Sequence, residues 1–291
     1  MKSPLALILP PALAMSSQAA LVADNFDALT NAGLSGKFHT GTGFVSGAKW
    51  TGSSLPGVVD GTLSSTLYNI SQPGNKFIRG TNSTDMRQAF GMLAAPMSGE
   101  IWFSFLAQTS QTTIESQIRW SSTGLSLNSP TATPFSDRGD FYVQMSGGRL
   151  EYKFGTNHTA GSVQVYGGTE LAGVTTLVVG RLLLGGTGTG DSVDLWVNPD
   201  LIANPDISSL STAYSATGIN GLASINQVGI VVHRTSSNLA LESAAFDALR
   251  MSNNPDGFSE VTGVPEPSAW MLAAGMMPLF MAVRCRKEWK S

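Results

Sequence analysis

The side chains of this chain best suited to acid–base work are its carboxylates, and their spacing argues against that use. Glycoside cleavage needs two carboxylates facing the scissile bond, about 5–5.5 Å apart for retention. On a strand such a pair comes from alternate residues, which share a face. The closest approach within a strand-like run is Asp191 with Asp194, three apart and so on opposite faces of a regular strand. Glu100, Glu115, Glu151, Glu170 and Glu242 each stand isolated from another carboxylate. His39, His158 and His233 are far apart, and no H-E-x-x-H spacing offers a zinc site. Serine is common, but no G-x-S-x-G elbow marks a nucleophile. Gly185–Gly190 has neither the G-x-G-x-x-G spacing nor the Gly-Lys-Ser/Thr ending of a phosphate cradle, and it leads into a strand, so a hairpin is expected there. No catalytic residue is assigned, and the chain is expected not to be an enzyme.

The elements that would position these groups are strands. Charged residues make up 13% of the chain while Gly, Ser and Thr abound, a balance that suits a sheet-rich, turn-rich extracellular domain. The net charge of −3 leaves no basic footprint for nucleic acid. Short apolar or alternating runs recur between turn residues, at Ile101–Gln108, Phe141–Ser146, Leu150–Gly155, Thr176–Leu184, Ser192–Val197, Gln227–His233 and Ala244–Ser252. Ser146-Gly147-Gly148-Arg149 reads as a tight hairpin. The tripeptide Asn-Pro-Asp, at 198–200, 204–206 and 254–256, reads as strand exits. No helix-period stretch stands out between Ala20 and Val261. Trp102 and Trp196 lie inside strand runs and are expected in the core. Trp50, Trp120, Phe44, Tyr142, Tyr166 and Tyr214 form the pool from which exposed aromatics would come.

Both ends carry addresses. Lys2, the apolar stretch Pro4–Met15 and Ser17-Gln18-Ala19 fit a signal peptide cut between Ala19 and Ala20. The sole cysteine, Cys285, lies beyond the last apolar stretch, so the domain between the ends is held without disulfides. At the other end, Val264-Pro265-Glu266-Pro267 precedes an apolar segment, Ser268–Val283, and the basic cluster Arg284-Cys285-Arg286-Lys287. As a helix the segment spans roughly 24 Å against a bilayer core of about 30 Å. The basic cluster would stay on the cytoplasmic side. This order of motif, span and cluster resembles the PEP-CTERM sorting signal, which implies an exosortase-type sorting enzyme as partner and transient anchoring in the inner membrane. It also implies export to the envelope, outer surface or extracellular matrix of a Gram-negative bacterium. The resemblance rests on Val264, Pro265, Glu266, Pro267, Arg284, Arg286 and Lys287. Pro278 and the extension Glu288–Ser291 depart from it.

A second resemblance covers most of residues 20–255. Asp24-Asn25-Phe26-Asp27 near the start, Phe246-Asp247-Ala248-Leu249-Arg250 in the last strand, and Ser192–Pro199 between them are similar to the concanavalin A-like (laminin G-like) superfamily. The implied fold is all-β: a jelly-roll sandwich of two antiparallel sheets with adjacent terminal strands. Its hydrolases carry E-x-D-x-E on one strand, which is missing here. The resemblance also implies a structural calcium ion tying first strand to last, with Asp247 on the matching position and Asp24, Asn25 and Asp27 as contributors. The alternative is that Asp247 caps a turn or pairs with Arg250. The expected organisation is a signal peptide at 1–19, a sandwich at 20–262 and a sorting tail at 263–291 with its helix at 268–283. The expected function is non-catalytic binding of extracellular polysaccharide or adhesion in a biofilm, with carbohydrate-binding residues unknown. The alternatives are a purely structural matrix protein and a divergent hydrolase or lyase, which would need two carboxylates to converge in a groove.

Overall fold

The computed structural model describes residues 21–264 except 25, 27–28, 30–31, 40, 53–56, 61–62, 64–75, 82–86, 110–113, 122–140, 147–148, 155–163, 167–172, 186–189, 220–222 and 235–242. The expected signal peptide, Asn25, Asp27, Pro265, Glu266, Pro267, the apolar segment 268–283 and the cluster Arg284, Arg286, Lys287 therefore lie outside the described residues. No helix among the described residues is long and apolar enough to cross a membrane.

The chain folds as strands β1 (Leu21–Asp24), β2 (Ala32–Gly33), β3 (Thr51–Gly52), β4 (Gly57–Asp60), β5 (Lys76–Thr81), β6 (Arg87–Met97), β7 (Glu100–Thr109), β8 (Ile114–Ser121), β9 (Phe141–Ser146), β10 (Arg149–Phe154), β11 (Gln164–Tyr166), β12 (Thr176–Leu183), β13 (Asp191–Val197), β14 (Tyr214–Ile219), β15 (Ile225–Arg234) and β16 (Ser243–Ser252). A 3-10 turn, Ile207–Ser209, and one short helix, α1 (Gly257–Thr262), complete the described elements. All seven expected strands are present, and the hairpins at 146–149 and 185–190 join antiparallel neighbours. Two of the three Asn-Pro-Asp turns follow strands, β13 and β16. The middle one instead ends in Asp206, whose carboxylate accepts the Ser208 N–H at 3.0 Å and caps the 3-10 turn. That is the ordinary use of Asp at a helix start.

A nine-stranded sheet runs β14-β13-β12-β7-β16-β5-β4-β2, with β1 paired to β16, and a seven-stranded sheet runs β11-β10-β9-β8-β15-β6-β3. Every pairing is antiparallel, and the first and last strands are neighbours, Leu21 opposite Ser252 and Asp24 opposite Leu249. The fold is thus the expected all-β two-sheet sandwich.

The two sheets close on a core that takes Phe103, Phe105, Val178, Leu195 and Leu249 from one and Ala89, Leu93, Val228 and Ile230 from the other. The nine-stranded sheet is buried on its outer side as well. There Trp102, Leu106, Leu177, Val179 and Trp196 pack under Leu201, Ile207, Phe258, Val261 and Val264. This second core explains why Ile101–Ala107 is buried without a break: a strand covered on both faces reads as a continuous apolar run. Packing extends through Val264, which is buried against the tryptophans although it is the first residue of the V-P-E-P motif.

Trp50 and Phe44, counted in the pool of candidate exposed aromatics, are both buried. They sit with Phe26 and His39 in an aromatic cluster over Gly91. The His39 ring stacks on Phe44 at 4.3 Å, and a Cβ at Gly91 would meet His39 Cε1 at 2.6 Å. The short chain from Lys37 to Trp50 can enter the sandwich here because β6 leaves that space open.

Neither ring nitrogen of His39 has a hydrogen-bond partner, and burial pushes its pKa down to about 4. The native state therefore holds His39 neutral, whereas the unfolded chain protonates it near 6.5. Stability from this residue is fully present above pH 6.5 and is lost as the pH falls toward 4. The ring is partly accessible, so the expected loss is roughly 1–2 kcal/mol rather than the full linkage value. Urea titrations between pH 7 and 4 should show this slope, and His39→Phe should flatten it. An unchanged slope in the variant would remove His39 as its source.

Candidate carbohydrate-binding face

The seven-stranded sheet differs from its partner in how its strands are written. β8, β9 and β10 alternate: Ile118 and Trp120 with Gln117 and Arg119; Phe141 and Val143 with Tyr142 and Gln144; Leu150 and Tyr152 with Glu151 and Lys153. The register shows what the alternation serves. Ile118 stands opposite Ile230, and Trp120 opposite Val228, both core residues of β15. The polar positions fall in register with the other set of β15, Gln227, Gly229 and Val231. The alternation separates one register set that includes Val228 and Ile230 of the main core from another that includes Gln227 and Gly229, both buried.

Successive pairings set the positions of this second register set in rows. One row is Gln88, Val231, Gln117, Gln144 and Glu151. The next is Phe90, Gly229, Arg119, Tyr142 and Lys153. Beyond these lie Met92, Gln227 and Ser121 on one side, and His233, Glu115, Ser146 and Arg149 on the other. Gly229 leaves the middle of the second row without a side chain. Met92 is 41% exposed, and Gln227 Nε2 donates to its Sδ at 2.6 Å.

The residue types at these register positions carry amide, guanidinium, ammonium and phenol groups. Amide groups bond as both donor and acceptor, which suits adjacent hydroxyls. Tyr142 is the member of the aromatic pool that the register places here. Trp120 and Tyr166 fall on the opposite set, opposite Val228 and Leu150. Tyr214 is partly buried against the main core. Phe38, which sequence reasoning passed over, is 56% exposed with Lys49 Nζ 4.6 Å from its ring centroid. Only its position in a short hairpin, bridged to Lys49, sets it apart.

The carboxylates divide in an instructive way. Asp191 accepts the Gly185 N–H at 2.7 Å and closes the β12–β13 hairpin. Asp194 pairs with Arg181 at 2.6 Å and accepts the Ser215 hydroxyl at 2.6 Å, so the two serve different neighbours. Glu100 accepts the Trp102 indole N–H at 2.7 Å. Glu115 and Glu151, isolated in sequence, are brought to one face by register. They stand two strands and two residues apart, about 12 Å between Cα positions at ordinary sheet spacings.

Of the expected calcium ligands, Asp24 and Asp247 are described, and both are buried. Asp24 ends β1 opposite Leu249 of the main core, and its Oδ1 accepts the Phe26 N–H at 2.8 Å. Asp247 serves the other side of the sheet, where Oδ2 accepts the Leu63 N–H at 3.2 Å and Oδ1 the Ala248 N–H at 2.8 Å. The strand bulges here, and Ala248 adopts a positive φ of 51°, a conformation that costs a non-glycine residue about 1 kcal/mol or more. Asp247 thus holds the bulge and tethers Leu63. Among the described residues no three His, Cys, Asp or Glu side chains gather as a metal site.

No family model and no curated protein matches the chain. Solved structures resemble it at low identity. The binding domain of botulinum neurotoxin serotype G is 10% identical with a TM-score of 0.45, the likeness covering 80% of this chain and 49% of that one. The Bacillus licheniformis beta-glucanase is 12% identical at 0.42, covering 78% and 100%. Lectin I-B4 from Griffonia simplicifolia is 13% identical at 0.36, covering 68% and 93%. The chain spans about half the length, or less, of the first structures it resembles.

Proposed function

We propose that this chain is an exported, non-catalytic module that binds extracellular polysaccharide through the outer face of its seven-stranded sheet. The observation that carries this reading is the pair of rows Gln88–Val231–Gln117–Gln144–Glu151 and Phe90–Gly229–Arg119–Tyr142–Lys153. They place hydrogen-bonding residues and one tyrosine along a course of five strands, roughly 20 Å across at ordinary strand spacing. That length accommodates several sugar units of an extended polymer. The signal-peptide-like start and the sorting-like tail support a location outside the cytoplasm.

A glycan array followed by calorimetry tests the binding. Tyr142→Ala and Gln117→Ala are each expected to weaken the best ligand about tenfold, the loss of one stacking or bidentate contact, with the melting temperature nearly unchanged. Failure to bind any envelope glycan would sink the proposal. The hydrolytic alternative rests on Glu115 and Glu151 sharing this face. Release of reducing ends, abolished in Glu115→Gln or Glu151→Gln, would replace the binding reading with that one.

A further inference from the structure

Among the described residues, the large apolar side chains most open to solvent are Phe38 and Ile202, 56% and 61% exposed. Each stands on a fixed mount, and the charges beside the two are opposite in sign. Phe38 belongs to a hairpin tied by the Gly36 N–H to the Trp50 carbonyl at 2.7 Å and the Trp50 N–H to that of Lys37 at 2.8 Å. Buried Trp50 and the stacked His39–Phe44 pair back this hairpin. Lys49 Nζ lies 4.6 Å from the Phe38 ring centroid, and Lys37 precedes Phe38 in the chain. Val45, also exposed, donates its N–H to the carbonyl of exposed Met92 at 3.0 Å. From Ala28 to Val59 the chain has no Asp or Glu, and Lys37 and Lys49 supply its charge.

Ile202 is carried by the other sheet. Its neighbour Leu201 is buried in the second core, which anchors the turn to the outer side of the nine-stranded sheet. Asp200 fixes that turn, its Oδ1 accepting the Ala203 N–H and its carbonyl the Asn204 N–H, both at 2.9 Å. Asp200 and Asp206 are exposed on either side of Ile202 in the chain. From Leu182 to Val232 there is no Lys or Arg, and Asp191, Asp194, Asp200 and Asp206 supply the charge. An aromatic ring beside lysines thus matches an isoleucine between carboxylates. Both are exposed, so they do not cover one another within one copy. Apolar anchors exclude water at the centre of a contact, and opposite charges at its rim fix the pairing. Rigid mounts lower the ordering cost of association.

We infer that the chain associates head to tail with copies of itself, Phe38 and Lys49 of one copy meeting Ile202, Asp200 and Asp206 of the next. The contact joins two different patches, so each copy added brings a further hairpin and a further turn, and growth continues as a chain or closes as a ring. Sedimentation of the full chain in mild detergent should show species that grow with protein concentration. They should shrink toward about 1 M salt, where the screening length falls to about 3 Å. Phe38→Ser with Lys49→Glu removes the hairpin patch. Ile202→Ser with Asp200→Asn removes the turn patch and keeps the acceptor that fixes the turn. Each double variant should weaken association about tenfold or more. An equal mixture of the two should form a complex of two copies and nothing larger, since one intact hairpin then meets one intact turn.

A chain that stays monomeric at every concentration would overturn the inference. Association that survives either double variant would overturn it as well, because the apolar tail or another surface would then carry it. A mixture in which both variants stay monomeric would refute the pairing of hairpin with turn. Should a double variant lose its melting transition, Lys49→Glu alone and the salt dependence of the unmodified chain decide the matter, and insensitivity to both rejects the contact. Sugar binding stands or falls separately, since none of these residues belongs to the rows assigned to it.

Discussion

Phe258→Ala is expected to lower the unfolding free energy by about 3–5 kcal/mol, and a chain ended after Asp256 is expected to lose its cooperative transition altogether. The reason lies in the second core. Phe258 packs edge-on to Trp102 at 5.2 Å between centroids, and Trp102 stacks on Trp196 at 5.9 Å. Val261 and Val264 cover the same surface, and each buried side chain of this size contributes about 1.5–3 kcal/mol. Polar ties fasten the helix as well. Ser104 Oγ donates to the Val261 carbonyl at 2.6 Å, and Glu260 accepts from the Ser252 hydroxyl and from Asn254 Nδ2 at 2.6 Å. Ending the chain at Asp256 removes all of these together and leaves both tryptophans and Ser104 uncovered. Counted jointly, the loss is roughly 7–12 kcal/mol, comparable with the 5–15 kcal/mol margin typical of a domain. Urea denaturation followed by tryptophan fluorescence reads both effects. A Phe258→Ala midpoint equal to that of the unmodified chain would show that the helix is an accessory.

Gly180→Val is expected to cost more than about 3 kcal/mol, at the upper end of the range for overpacking. Gly180 lies in β12 directly opposite Phe103 of β7. The Phe103 ring lies so close that an added Cβ would collide with its Cζ, Cε1 and Cε2 atoms. The ring has nowhere to go, since it stacks on Phe105, which in turn meets Phe246 edge-on. The substitution therefore expels a fully buried aromatic. A double-mutant cycle distinguishes this from a general intolerance of the strand. In the Phe103→Leu background, Gly180→Ala should be far less costly than in the unmodified chain, giving a coupling of about 1 kcal/mol or more. Additive effects would mean that the glycine is needed for another reason.

The strands that sequence reasoning found are those with dense apolar content or tight hairpins: β7, β9, β10, β12, β13, β15 and β16. The other nine, β6 and β8 the longest among them, escaped it. β8 is polar at five of its eight positions and lies among serines and threonines, and β6 mixes glycine, proline and polar residues with its apolar ones. The run Ile101–Ala107 was legible as a strand, but its continuous apolar character also meant cover on both faces. What provided that cover, α1 and the chain around Leu201 and Ile207, lies more than ninety residues away in sequence.

The site was less legible than the fold. Trp50 and Trp102 look alike in a sequence, and both prove to be core residues of different clusters. Tyr142 and Tyr152 both sit in good strands, yet only Tyr142 shares the register set of Gly229.

The absence of a strand-spaced carboxylate pair, with which the reading of this chain began, was determined by sequence alone, because spacing along one strand is a local property. So were the strands with strong patterns and the turns that end them. Which carboxylates share a face was decided only in the tertiary structure. Register puts Glu115 and Glu151 in one set, two strands and two residues apart, and sets Asp24 opposite Leu249, through pairings between distant segments. A shift of one residue in any of those pairings would exchange the faces. Local sequence sets the period of a strand, and only the packed sheets set its register.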